Sequence, residues 1–501
     1  MRKIIILAIL SVFLITIISC NSKLDELDYT YAIATSTFYN NVDEANAAVM
    51  APLDQMRQAY DANWFATLEI NTEYCYPKGI YTTYQQYTGL NNATHQNRSA
   101  NNWMYLYRAI MYCNTAIDKL PQATEMTADQ INSYLGELRF LRAFNYYNLV
   151  IHWGAVPLRT EKNLTTWDLG KSSTDDIYKF IIEDLEFAIS NCPDKPRIIG
   201  TPGKNAAKYL LSEIYMYTGD YDKAKDLSGQ VINSGDYSLV HISSVRDFDK
   251  VFGYNLTTST EEVFYIKTSR IDNKLWDYLC YTAHPKYEIE PGKRMLNGYG
   301  YFTHYTDLRN HIIANWDTTD YRYGLNIGFY VFGASAYGNY TCLLTKYWDP
   351  EAQGNSGNVS IPLIRYSDVL VTYAEASARV AGAPTNESIE MLNELRRRGY
   401  GKDPLVPNAS IDYKLSDYTS LDAFIDLLIN EETYESFNEG KHWDLTVRLG
   451  KAQELVGKYY NLDGEWTTIQ QIHYLWKIPD SEFNYNKALD QKVDQNPGYT
   501  S

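Results

Sequence analysis

Two stretches of the chain concentrate side chains able to grip a ligand. Tyr76, Tyr81, Tyr84 and Tyr87 crowd a segment containing Gly and Thr, and Trp276, Tyr278, Tyr299, Tyr301 and Trp316 populate a second, with Asn273, Asn297 and Arg309 among them. Flat rings with a hydroxyl or N–H at the edge, next to amides and a guanidinium, supply stacking and hydrogen bonds together, which is binding chemistry and not bond breaking. Tyr and Trp also lose little conformational freedom on contact. The ligand-binding candidates are therefore Tyr81, Tyr84, Trp276, Tyr299, Tyr301 and Trp316, with packing as the competing role of each. Trp103 and Tyr107, four apart at helical spacing, read as packing residues.

The sequence holds no HExxH, GxSxG or dinucleotide-type GxGxxG motif. Gly170-Lys171-Ser172 looks like the end of a P-loop, but Thr165 stands where its leading glycine belongs. The eight His are scattered, none at i, i+4 spacing, so each reads as a surface or core residue and no metal is expected. Glu431, Glu432, Glu435 and Glu439 suggest a glycosidase carboxylate pair, yet carboxylates four apart on one helix read first as a solvated or ion-paired face. No catalytic residue and no cofactor is assigned.

The 501 residues carry a net charge of −16 and contain 46 Tyr and 10 Trp against 16 Phe. Without a long Lys or Arg run, a phosphate-tracking surface is excluded, and nucleic acid with it. The length suits several small domains or one large body. Six cysteines without a CxxC pattern indicate neither a zinc site nor a disulfide framework, so the internal ones are expected as buried free thiols.

The elements that must position the candidate residues are mostly helices. Ile177, Ile181, Leu185 and Ala188 form an apolar stripe behind possible caps at Ser173, Thr174 and Asp175, with Pro193 beyond its end. Between Glu137 and Ile151 two faces are apolar, so that helix should be largely buried, with Gly154 and Pro157 ending it. Leu211, Ser212, Tyr215, Gly219, Tyr221 and Ala224 fall in tetratricopeptide register, although Ser228 and Val231 miss the pattern. A single hairpin cannot bury its own face. Further pairs are expected from 38–60 with 102–120, from 135–151 with 177–191, and from 369–380 with 389–397. Between Tyr237 and Pro362 the helical pattern fades into Gly, Asn, Tyr and Trp with strand-like pieces such as Val263 to Ile266. A loop region this long points to function. Helical pattern returns from Arg365 to about Leu455, before an irregular tail.

At the N-terminus Arg2 and Lys3 precede an apolar run from Ile4 to Ile18, then Ser19 and Cys20. Fifteen residues is short for a membrane span, which needs about 20, and fits a secretory signal. The run ending in a small residue before Cys resembles a bacterial lipoprotein signal, which implies cleavage before Cys20 and its acylation. An ordinary signal peptide followed by an ordinary thiol is the alternative. Ile17 replaces the usual Leu of that motif. The acidic cluster Asp25, Glu26 and Asp28 resembles the surface-export tag of Bacteroidetes lipoproteins.

Several segments together resemble the SusD/RagB family of nutrient-binding lipoproteins. They are Glu137 to Val150 followed by Trp153-Gly154 and Val156-Pro157-Leu158; Ala206 to Tyr237; Ile361 to Leu370 through Tyr373-Ala374-Glu375-Ala376, read as the family's C-terminal helix, with Asn393 to Gly399 next; and Leu475-Trp476-Lys477-Ile478-Pro479 with Gln495 to Tyr499. Glu439 to Leu445 looks like the family's EGxRxxDL block, with His442 where Arg is usual and one residue fewer. Arg139, Arg142, Glu137, Asp368 and Glu375 read as scaffold that pairs across helices.

The resemblance implies a mainly α fold, in which tetratricopeptide-like hairpins support a long loop-rich region with a few short strands. It divides the chain into a signal at 1–19, an N-terminal helical region at 20–236, a ligand-facing region at 237–362 and a C-terminal helical region at 363–501. It further implies a lipid-anchored outer-membrane protein facing the cell exterior, not an enzyme, which captures a glycan and covers a SusC-type TonB-dependent barrel. A peptide or other nutrient in the same role is the second reading, and a surface glycan hydrolase the third.

Overall fold

The computed structural model describes residues 38–77, 93–278, 288–290, 293–294, 302–304, 311–330, 341–352, 356–457, 469 and 471–499. Helices dominate them. In the first half these are α1 (Val42–Ala59), α2 (Ala62–Glu69), α3 (Ala93–Lys119), α4 (Ala128–Trp153), α5 (Thr174–Asn191), α6 (Lys204–Thr218) and α7 (Tyr221–Asn233). The middle region contributes α8 (Tyr321–Asn326), and beyond it come α9 (Tyr366–Ala381), α10 (Asn386–Gly399), α11 (Leu421–Ser436), α12 (His442–Arg448) and α13 (Asp480–Tyr485). All the expected pairs pack: α1 on α3, α4 on α5, α6 on α7 and α9 on α10. Each pair also meets the next, through α3 with α4, α5 with α6 and α7 with α9, so one continuous core runs along the stack.

The signals that start and stop these helices are local. Ser173 caps α5 by accepting the Asp176 N–H, and Thr127 with Gln130 forms a reciprocal capping box that starts α4 well before Glu137. Gly154 then ends α4 at φ 72°. Gly219 takes φ 82° between α6 and α7, where a left-handed residue closes the turn. Ser228 and Val231, which miss the repeat pattern, are fully buried, and at Gly229 between them an added Cβ would sit 3.0 Å from the Tyr373 ring of α9, so the two helices approach closely there.

The charged residues of the motifs do pair across elements. Arg142 holds Asp184 through two bonds of 2.7 and 2.8 Å, Arg197 holds Glu137, Arg448 holds Glu375 and Lys441 holds Asp368. The last motif blocks converge on the end of α4. Trp153 Nε1 donates to the Lys477 carbonyl, and the Asn496 amide donates to the carbonyls of both Trp153 and Trp476.

The strands are short: besides a small antiparallel pair, Glu288–Glu290 with Lys293–Arg294, they are β1 (Cys75–Pro77), β2 (Val156–Pro157), β3 (Lys171–Ser172), β4 (Glu262–Ile266), β5 (Phe302–His304), β6 (Ile327–Tyr330), β7 (Thr341–Leu344) and β8 (Ile361–Arg365). β2 pairs with β3, β4 with β8, and the others form an antiparallel sheet in the order β1-β5-β7-β6. β8 departs from the motif resemblance that reads Ile361 onward as helix, while the helical pattern expected from Arg365 agrees with the start of α9. Ile361 to Arg365 is extended, and α9 begins at Tyr366, where Asp368 accepts the Arg365 N–H.

Cys75, Cys113 and Cys192 are free and buried. Among the described residues no helix is long and apolar enough to cross a membrane.

Gly219→Ala isolates the backbone term, because nothing lies within 4 Å of the added methyl group. It is expected to lower the unfolding free energy by about 1 kcal/mol, read as a shift in urea midpoint at unchanged m-value.

Candidate functional site

The loop-rich middle is held by its ends. Antiparallel pairing sets Cys75 opposite His304, Tyr76 opposite Thr303 and Pro77 opposite Phe302. The chain therefore leaves β1 and enters β5 at the same end of the sheet. The segment carrying Tyr81 and Tyr84 begins just beyond Pro77, and Tyr301 directly precedes Phe302, with Tyr299 two residues earlier. These four tyrosines, like Cys20, lie outside the described residues. The other approach to the region is pinned by residues 276–278: Trp276 bridges to Gly357, its Nε1 donates to the Tyr60 carbonyl at 3.0 Å, and Asp277 accepts the Ala62 N–H at 2.9 Å.

Trp276 and Trp316 are placed below the surface, 1% and 4% exposed. Trp276 packs against Phe65, Tyr278 and Tyr347, while Trp316 stacks on Tyr434 with ring centres 4.7 Å apart and meets Phe437 edge-on. Tyr74 stacks on Phe437 at 4.4 Å. In this structure the two tryptophans belong to an aromatic layer inside the molecule. Trp103 and Tyr107 are packing residues as well: Trp103 contacts Trp153, and the Tyr107 hydroxyl donates to the Pro157 carbonyl.

Below the aromatic layer lies a buried charge network that sequence reasoning saw only from one side. The run Glu431, Glu432, Glu435 and Glu439 is an ion-paired face, but it is buried and not solvated. Arg322 of α8 reaches Glu431 at 2.7 Å and Glu435 at 3.3 Å, and Arg365 reaches Glu435 and Glu439 at 2.8 Å. Arg398 of α10 binds Glu435 and Glu261, and Lys346 binds Glu439 at 2.7 Å. Burial alone would raise the Glu435 carboxyl, yet Arg398, Arg365 and Arg322 hold it well below its ordinary value. For Glu439 the same contest, with Arg365, Lys346 and Lys441 on the winning side, ends at about 2. Glu435 and Glu439 therefore stay ionised and engaged, and neither is poised to donate a proton. Gly399 makes room for the network, since a Cβ there would come within 2.5 Å of Arg322 Nε.

His442 explains its own departure from the family pattern. Its ring lies between Glu73, 3.1 Å from Nε2, and Glu432, 3.3 Å from Nδ1. Burial pulls its pKa down, but the two carboxylates outweigh this and raise it to about 10, so the imidazolium serves as the cation that Arg would provide. A second acidic pair, Asp61 and Asp277, is raised chiefly by burial, Asp61 to about 6, with Asp277 adding to it. Both cap the N-terminus of α2, Asp61 through the Asn63 and Trp64 N–H groups and Asp277 through that of Ala62. Among the described residues no group of three or more His, Cys, Asp or Glu is arranged to hold a metal ion.

One cavity of about 150 Å³ opens between α4, α6, α9 and α12, lined by Tyr60, Tyr147, Tyr209, Tyr217, Glu213 and Arg448 among others. Its volume is below the roughly 300 to 1,000 Å³ of pockets that enclose drug-sized molecules.

Two outcomes follow from this packing. Trp316→Ala is expected to cost about 3–5 kcal/mol of stability, the range for a core Trp, and to appear as a lowered melting temperature. His442 binds its proton more tightly folded than unfolded, so its stabilising contribution is complete below pH 6.5 and is lost as pH rises through about 10. The difference in unfolding free energy between wild type and His442→Gln should be largest below that lower limit and shrink steadily towards the upper one in denaturation series across pH.

Comparison with known proteins agrees with this architecture over nearly the whole chain. A family model described as "Starch-binding associating with outer membrane" matches residues 16–216, and a second described as "SusD family" matches residues 316–499. A SusD-like protein of Formosa agariphila is 24% identical over 95% of each chain. Among solved structures, a SusD homolog from Bacteroides thetaiotaomicron superposes with a TM-score of 0.74 at 19% identity, covering 93% of this chain and 99% of that one. A laminarin-binding SusD-like protein does so with a TM-score of 0.70 at 20% identity, covering 92% and 100%. Hairpin stack, motif order, converging tail and these matches lead to one conclusion: the chain belongs to the SusD/RagB family.

Proposed function

We propose that the protein is a cell-surface lipoprotein, anchored to the outer membrane through acylated Cys20, that binds an oligosaccharide or polysaccharide and delivers it to a SusC-type TonB-dependent barrel, which it covers as a lid. The observation that carries the reading is the pairing of Pro77 with Phe302. It starts the segment of Tyr81 and Tyr84 and ends the segment of Tyr299 and Tyr301 at one end of two neighbouring strands, on a scaffold like that of a laminarin-binding relative. Region 237–362 is the ligand-facing part in this reading, with the helical regions on either side as its support.

A sugar ring has an apolar face and a rim of hydroxyls. Tyrosines stack on the first and bond the second, and no covalent step is needed. The engagement of Glu431, Glu432, Glu435 and Glu439 in ion pairs supports binding without hydrolysis.

The test uses the mature chain with Cys20→Ser in native gels containing laminarin, soluble starch or xylan. Retardation without released reducing ends is expected. Tyr81→Ala combined with Tyr84→Ala should weaken retardation about tenfold at unchanged melting temperature, as the loss of one or two stacking contacts implies. Release of reducing ends would overturn the non-enzymatic reading. Absence of retardation by any glycan, with a barrel still copurifying from native membranes, would replace the glycan by a peptide or other nutrient.

A further inference from the structure

Tryptophan is buried almost everywhere in this protein. Eight of the nine described tryptophans are at most 6% exposed, and the ninth, Trp167, is 81% exposed. Tyr485, on another part of the chain, is 84% exposed. Neither ring is left out by slack backbone. Arg159 donates to the carbonyls of Thr166 and Trp167 at 3.1 and 3.0 Å, and its own main chain is bonded to the Tyr146 hydroxyl of α4. Asn486, 2% exposed, joins the two segments: its amide accepts the Leu169 N–H at 3.0 Å and donates to the Leu169 carbonyl at 2.7 Å. Beside it the Lys487 N–H donates to Asp168 at 2.6 Å. Tyr485 directly precedes the buried Asn486, and Trp167 lies next to Asp168 and two residues before Leu169, so both rings flank the bonds that join the loop after β2 to the end of α13.

Holding large aromatic side chains in water on a fixed backbone has no benefit for the fold, because an exposed ring gains nothing from burial. It does remove the ordering cost of a later contact. We infer that Trp167 and Tyr485 form a second glycan-binding platform, which stacks on the apolar faces of sugar rings in a polysaccharide chain and is separate from the segments that carry Tyr81, Tyr84, Tyr299 and Tyr301. The inference rests on the glycan-binding reading given above. The rim suits sugar hydroxyls: Thr165, Thr166 and Asn484 are exposed in the same segments, with charges of both signs at Lys162, Asp168, Lys487 and Asp490. A protein docking face would instead call for a core depleted of such charges.

The test compares three forms of the mature Cys20→Ser chain in native gels with laminarin, soluble starch and xylan: wild type, Trp167→Ala with Tyr485→Ala, and Trp167→Phe with Tyr485→Phe. Both sites are exposed, so melting temperatures should coincide. Expected are a fivefold or greater loss of retardation in the alanine form and its recovery in the phenylalanine form. The polysaccharide that retards wild type should also protect its fluorescence from acrylamide quenching, and this protection should be absent without Trp167. Wild-type retardation that both double variants retain in full would overturn the platform and leave the glycan reading standing. Failure of all three polysaccharides to retard wild type would overturn both.

Discussion

Five buried carboxylates and the cations that surround them tie the middle region of this molecule to its C-terminal helices. Asp320, Glu261, Glu431, Glu435 and Glu439 meet Arg322, Arg365, Arg398 and Lys346, and Lys441, which holds Asp368 at 2.6 Å, reaches Glu439 from the rim at 3.3 Å. Burying an ion is costly unless its oxygens find donors, and each does. The Tyr413 hydroxyl serves the Glu431 oxygen that Arg322 leaves, and the Val240 N–H serves Glu261. The participants come from α8, β8, α10, α11 and the connections between them. No one of these elements can shift without leaving a charge unpaired, which is why the arrangement specifies a single geometry more than it adds net stability.

Legibility in the sequence followed the range of the interaction. Helix pairs were readable because an apolar residue every third or fourth position is a local signal, and so was the Gly219 turn. The α4 start at Ala128 was also written locally, in Thr127 and Gln130, though the apolar stripe drew the eye to Glu137. β8 was missed because Ile361 to Arg365 runs straight into helical pattern, while its strand character comes from β4, about a hundred residues earlier. The acidic run on α11 could be read as ion-paired, but Arg322 and Arg365 as its partners could not, since nothing in their own neighbourhoods marks them. His442 was visible as a departure, and its meaning needed Glu73 beside it.

Aromatic composition divided less cleanly. Counting rings in loop-like sequence groups Trp276 and Trp316 with Tyr81 and Tyr299, because composition carries no depth. Trp276 donates to a main-chain carbonyl and Trp316 stacks on a helix, and both contacts depend on elements distant in sequence. The same blindness hid Trp167, which sits in an unremarkable Thr-rich turn. Its exposure becomes meaningful only once Arg159 and Asn486 are seen to hold that turn still.

The convergence of Trp153, Trp476 and Asn496 bears on how the chain reaches its native state. The bond from Asn496 to the Trp153 carbonyl joins residues 343 positions apart. Contacts of such separation form late, because the entropy of closing the loop must be met before they return any energy. The indole N–H of Trp153 has to wait for Lys477, 324 positions further along, so the far end of the longest motif helix is completed only by a segment remote from it in the chain. The segment from Leu475 to Asn496 works as a latch, closing over a hairpin stack whose other contacts are mostly between neighbours in sequence.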